Sequence, residues 1–151
     1  MTRFRKGLKI GISFLVAVLV IAQAIRIDRA NPSARADTSV APGVKPVLKR
    51  ACYNCHSNET VWPWYSSVAP VSWLIGSDVK EARRELNFSE WDMYAGDTQG
   101  YKLKGIAEEV EEGKMPPWYY GMMHGDARLS PEDKDAIKNW TVAMTSQQAP
   151  R

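Results

Sequence analysis

Cysteine and histidine are scarce in this chain: its 151 residues contain two of each. Two cysteines can form one disulfide at most, and as C-x-x-C it would close a very short loop, so a plain disulfide is the weakest alternative for them. A zinc site would have to use Cys52, Cys55, His56 and His124, yet His124 stands alone where structural zinc sites usually present a second pair. Internal repeats and low-complexity tracts are missing. Few segments alternate as strands do, and nothing before Cys52 reads as a strand, so a thioredoxin-like βαβ context is lacking. A basic stripe is missing too. Residues 1–29 hold six of the 20 Lys/Arg and one of the 17 Asp/Glu, which leaves 14 basic and 16 acidic side chains beyond them. The overall charge of +3 therefore belongs to the N-terminus and argues against nucleic acid as a partner.

The first nine residues carry Arg3, Arg5, Lys6 and Lys9 and no acid. An apolar run follows to about Ile25, about 18 residues when counted from Leu8, near the lower limit for spanning a bilayer. This pattern predicts an uncleaved signal-anchor over residues 1–25, with a cleaved export signal ending near Ala22-Gln23-Ala24 as the alternative. The positive cluster would keep the N-terminus inside, putting the remainder on the periplasmic side of an inner membrane or, after cleavage, free in the periplasm. Residues 26–43 read as a linker, with Asn31-Pro32-Ser33, Thr38-Ser39 and Ala41-Pro42-Gly43 as turn formers. About a hundred residues, 44–146, remain for a small domain.

Apolar spacing in that domain is helical throughout. Val47, Leu48, Ala51, Cys52 and Cys55 fall on one side of a helix over Val44 to Cys55. Pro70 opens a second helix, carrying Val71, Leu74, Val79, Ala82 and Leu86 and ending at Asn87. Ser89-Glu90-Trp91-Asp92 reads as a short capped helix. Leu103, Ile106 and Val110 mark another, stopped by Gly113. Ser130-Pro131-Glu132-Asp133 combines an N-cap, a proline at the first helical position and an acid three residues after the cap, ahead of a stripe of Ala136, Ile137, Trp140 and Met144. The expectation is a small all-α domain.

Both cysteines and one histidine meet in Cys52-Tyr53-Asn54-Cys55-His56. C-x-x-C-H is the pattern that attaches haem covalently, as haem c. Two thiols one helical turn apart can reach one edge of a flat macrocycle, and the histidine that follows can ligate its iron. For the sixth position the best candidate is Met115, on a loop that Gly113 opens and Pro116-Pro117 stiffen. His124 is the alternative, and would give bis-histidine ligation at lower potential. Met122, Met123, Met93 or an open position remain. Trp62, Trp64, Tyr65 and Trp73, with Trp118, Tyr119 and Tyr120, read as a haem-lining wall in which Trp62, Trp73 and Trp118 offer indole donors to propionates. Arg83 and Arg84 are candidate propionate partners or simply solvated, and Glu108, Glu109, Glu111 and Glu112 read as a solvated helix face.

At the broad level, an early C-x-x-C-H, a Met-Pro about sixty residues on and a final helix with a tryptophan resemble a class I cytochrome c. More narrowly, the chain is similar to the bacterial haem-binding domain family of small exported or membrane-anchored proteins. Asn31-Pro32, Ala51 to Ser57, Trp62-Pro63-Trp64-Tyr65, Ala69 to Trp73, Leu86 to Trp91, Met115-Pro116 and Leu129-Ser130 carry that similarity across most of residues 31–140. It implies one covalent haem and a place outside the cytoplasm. It also implies a histidine where His124 stands, and leaves the physiological partner open. The expectation is a cytochrome c-like domain behind a membrane helix, carrying single electrons between redox proteins of the envelope. No substrate pocket or acid–base pair is legible, so it is not read as an enzyme. A haem-based sensor, a peroxidase-like protein with a displaceable ligand, and an assembly subunit of a membrane complex are the rival readings.

Overall fold

A proline just inside its start and acids in its first turn favour the last helix. The computed structural model describes residues 2–35 and 40–148, so Thr38-Ser39 of the expected linker lie outside the described residues. Seven α-helices are found among them: α1 Thr2–Ala22, α2 Lys45–Ala51, α3 Tyr53–His56, α4 Val71–Glu85, α5 Gly96–Glu111, α6 Trp118–Met123 and α7 Pro131–Gln148. Short 3₁₀ turns cover Trp64–Ser67, Trp91–Met93 and Gly125–Ala127. No β-strand occurs among the described residues, which agrees with the all-α expectation.

Two units emerge from the packing. One comprises Met1–Ala30 and Trp62–Lys80, the other Asn31–Val61 and Glu81–Arg151. The span 44–146 thus contributes to both. In the first unit, α1 exposes its apolar side chains all round, among them Ile10, Phe14, Val16 and Val20. Among the described residues no helix is long and apolar enough to cross a membrane. The expected membrane helix is therefore not confirmed. α1 spends its first turns on Arg3, Arg5, Lys6 and Lys9 and ends at Ala22, leaving Ile10–Ala22, about 20 Å of apolar helix. The chain then turns back on itself. The Gln23 carboxamide donates to Ala69 O at 3.3 Å and accepts from Ala69 N at 3.0 Å. Ile25 O accepts from Trp73 Nε1 at 3.1 Å. Ile27 lies against Gly76 so closely that a Cβ there would meet its side chain at 3.0 Å, an approach glycine permits. In α4, Val79 is buried, whereas Val71 and Leu74, expected on its apolar stripe, are exposed.

The second unit holds the core. α5 packs on α7, with Leu103, Ile106 and Val110 meeting Ile137 and Trp140 in one buried cluster that also takes in Leu48 and Tyr53. Gly113, at φ 71°, ends α5 in the left-handed conformation: Lys114 N donates to Glu109 O at 3.0 Å and Gly113 N to Val110 O at 3.2 Å, the paired bonds of a glycine C-cap. α7 starts as its sequence predicts. Asp133 N donates to Ser130 Oγ at 3.2 Å and Ser130 N to Asp133 Oδ2 at 2.9 Å, a reciprocal capping box with Asp in the acidic position.

Two local expectations are corrected. The helix over Val44 to Cys55 is broken at Cys52 (φ −123°, ψ −40°), which closes α2 and opens α3. Ala51 and Tyr53 are both buried, and residues two apart cannot share a helix face. The break turns Tyr53 inward to stack on Phe88, ring centroids 4.9 Å apart. Ser89 does not cap the Trp91–Met93 turn, whose N-cap is Glu90. Its hydroxyl instead accepts from Asn58 N at 3.0 Å.

Candidate functional site

Despite the break at Cys52, the motif forms one turn. Cys52 O accepts from Cys55 N at 3.1 Å and from His56 N at 2.9 Å. Neither cysteine is in a disulfide. Burial, with the neighbouring Cys55 adding to it, pushes the Cys52 thiol up to about 12, so it stays protonated at neutral pH. Among the described residues no three His, Cys, Asp or Glu side chains gather to hold a metal ion, and the zinc alternative finds no support there.

His56 carries the most specific geometry. Its Nδ1 lies 3.1 Å from Ala82 O and 3.1 Å from Leu86 O, at the end of α4. Carbonyl oxygens only accept, so the proton sits on Nδ1 and Nε2 keeps a lone pair. Burial pushes the imidazole below its ordinary value, against the opposing pull of the two carbonyls. The ring is therefore neutral at pH 7, the state in which an imidazole binds a metal through Nε2.

The segment after His56 is fastened by polar groups. Phe88 N donates to His56 O at 2.8 Å. Arg83 Nε donates to Ser57 O at 2.9 Å, and its Nη2 donates to Thr60 Oγ1 and Asn31 Oδ1, both at 2.8 Å. Asn87 Nδ2 donates to Asn58 Oδ1 at 2.9 Å, and Asn87 N donates to Tyr94 Oη at 2.8 Å. Arg83 is thus a positioning residue for this segment, while Arg84 is exposed and paired with Glu81 and Glu85. Nothing in the local sequence separates the two arginines. Nor does it mark Asn54, which accepts from Val61 N at 3.0 Å and donates to Tyr120 Oη at 2.8 Å.

Asn54 links the motif to α6. Tyr120 stacks on His124 with centroids 4.3 Å apart, and Arg50 Nε donates to Asp126 O at 2.8 Å. His124 is half-buried in this arrangement. Met115 is half-buried on the loop between α5 and α6, its amide donating to Glu109 O at 3.1 Å. Met93, Met122 and Met123 are exposed. Trp118 is also exposed, edge-on to Tyr119, so its ring does not form a buried wall. Trp62 and Trp73 belong to the first unit. There the Trp73 indole is bonded to Ile25 O, while Trp62 Nε1 is buried without an acceptor among the described residues. The acidic run pairs with lysines on the surface, Glu108 with Lys104 at 3.5 Å and Glu111 with Lys138 at 3.2 Å, as a solvated face does.

No match was found among curated proteins or among solved structures. The likeness to class I cytochrome c therefore stays one of motif and spacing. The haem-binding domain family matches residues 17–143, a stretch that contains the motif turn, the end of α4 and the loops bearing Met115 and His124, and the chain belongs to that family.

Proposed function

We propose that this protein is a monohaem c-type cytochrome, tethered to the inner membrane by its N-terminal helix, facing the periplasm and passing single electrons between redox proteins. The observation that carries the reading is the His56 tautomer: a neutral imidazole with its Nε2 lone pair preserved, directly after two cysteines on one turn that form no disulfide. That donor set fits a covalently held haem. Cys52 and Cys55 would supply the thioether sulfurs, His56 Nε2 the proximal ligand and Met115 the distal one. When bound, the haem supplies a one-electron couple between ferric and ferrous iron. The chain's own part is to fix the imidazole through the α4 carbonyls and to hold the loop behind it with Arg83.

Two features support the tether. The apolar side chains of α1 lack protein cover, and a helix that is apolar all round needs an apolar surrounding. Gln23, at the candidate cleavage site, is engaged with Ala69, a contact that cleavage there would disrupt. A second reading of the distal ligand, His124, is favoured by the path from Asn54 through Tyr120 to its ring.

The test is acid extraction of the haem-loaded full chain. Haem should stay with the wild-type protein and be lost from the Cys52→Ala, Cys55→Ala double variant. Release of haem from the wild type would refute covalent attachment and leave a non-covalent haem protein.

A further inference from the structure

We propose that the first unit carries a phospholipid site, in which a cavity lined by Arg26 and Arg29 takes the phosphate of a membrane lipid while neighbouring apolar side chains enter the bilayer interface. The proposal rests on the membrane-tether reading above. A cavity of about 360 Å³ lies just beyond the C-terminal end of α1, lined by Gln23, Arg26, Arg29, Ser66, Ser67 and Ser72 among others. Two guanidinium groups and the Ser67 and Ser72 hydroxyls suit a phosphodiester, the Ser66 hydroxyl being spent on Pro63 O at 2.6 Å, and no carboxylate is among the lining residues. Arg29 is already positioned: one Nη1 donor is spent on Ser67 Oγ at 2.6 Å, leaving further N–H groups on the same fork. The nearby acid, Asp28, is turned into its own local bend, accepting from Ala30 N at 2.9 Å.

The surface beside the cavity is apolar and open. Trp64 is 79% exposed, Leu74 55%, Val68 44% and Val71 44%. They alternate in sequence with Ser66, Ser67 and Ser72 of the lining. A row of exposed aliphatic residues with a tryptophan, beside basic groups, is what the lipid headgroup level favours. Placement argues for lipid over a protein partner. Gln23 fixes Ala69, and Ile25 fixes Trp73, directly at the end of the uncovered apolar helix, so a bilayer that takes α1 meets this surface next. The shortness of α1 fits as well. Its Ile10–Ala22 stretch covers about 20 Å of a hydrocarbon core of about 30 Å, and an interfacial contact beside it is one way for a short span to be accommodated.

The experiment is native mass spectrometry of the haem-loaded full chain in detergent micelles, titrated with phosphatidylglycerol and, separately, with inorganic phosphate. One phosphatidylglycerol should bind. The Arg26→Gln, Arg29→Gln double variant should weaken it about tenfold or more, the scale of losing charge-assisted hydrogen bonds. Arg26→Gln alone leaves the Arg29–Ser67 bond intact and should still weaken binding about threefold, which guards against a folding defect. An unchanged haem absorption spectrum marks the variants as folded. Undiminished lipid binding in both variants would overturn the proposal, as would inorganic phosphate binding as tightly as the lipid. Carbonate washing of membranes separates the two readings. A chain that resists the wash but binds lipid independently of Arg26 and Arg29 keeps its tether and loses this site. A chain that washes off loses both.

Discussion

Replacing Arg83 with methionine should destabilise the protein by about 2–4 kcal/mol, whereas the same change at Arg84 should cost at most about 0.5 kcal/mol. Arg83 donates to Ser57 O, Thr60 Oγ1 and Asn31 Oδ1. Ser57 is wholly buried and Thr60 nearly so. A hydrogen bond from a charged group contributes about 1.5–3 kcal/mol, and removing the donor leaves a buried acceptor unsatisfied. Two such bonds to one guanidinium do not add fully, which sets the range. The third, to the exposed Asn31, adds little. Arg84 is exposed and makes only surface ion pairs, which contribute little. Urea titration of the haem-loaded full chain, followed by far-UV circular dichroism and by haem absorption, reads the difference as a midpoint shift of about 1–2 M for Arg83→Met. Arg83→Lys should fall between, since one ammonium cannot span acceptors that the fork reaches together. Equal losses for the two methionine variants would refute the positioning role assigned to Arg83.

Met115→Ala should turn a low-spin ferrous spectrum partly high-spin and allow carbon monoxide to bind, and His124→Ala should leave it unchanged. The reverse pattern would make His124 the distal ligand. Tyr94→Phe removes the acceptor of the buried Asn87 N–H and should cost about 1–3 kcal/mol in the same urea titration. Asp133→Asn should cost about 1 kcal/mol at pH 7 and flatten the acid limb of the stability curve. The Arg50 hydrogen bond, foremost, holds the Asp133 carboxyl below its ordinary value. Its contribution is therefore complete above the unfolded value of about 4 and is lost as pH falls through the lower native value.

The helices were legible wherever a local rule fixed them. Ser130, Pro131 and Asp133 announce the start of α7, Gly113 announces the end of α5, and Leu103, Ile106 and Val110 point inward at helical spacing. The break at Cys52 was not legible, because it depends on Phe88 receiving Tyr53 from more than thirty residues away. The exposure of Val71 and Leu74 was equally hidden. Period alone marks an apolar stripe, and only the placement of neighbours reveals whether protein covers it. At the site, the thiols and His56 stand in the motif itself. The partners that orient them do not, since Arg83 and Arg84 are adjacent identical residues and nothing local separates the one that reaches Ser57 from the one in solvent.

The acceptors of the His56 proton are main-chain oxygens, and this shapes what the fold can tune. The last carbonyls of a helix lack intrahelical partners, and the imidazole takes Leu86 O just past the end of α4 together with Ala82 O, which also receives Leu86 N at 2.8 Å. One contact thus satisfies a helix terminus and selects the histidine tautomer. A neutral carbonyl draws less on the Nδ1 proton than a carboxylate would, so on the proposed reading Nε2 would be a weaker donor to a haem iron and would disfavour the ferrous state less. No side-chain substitution deletes these acceptors. The imidazole can only be adjusted through groups that set where α4 ends and how the motif lies against it: the Tyr94 hydroxyl on Asn87 N, the Phe88 amide on His56 O and the Arg83 fork on the loop beyond. Changes at Tyr94 and Arg83 should therefore move the haem spectrum and stability together, whereas a change at Arg84 should move neither.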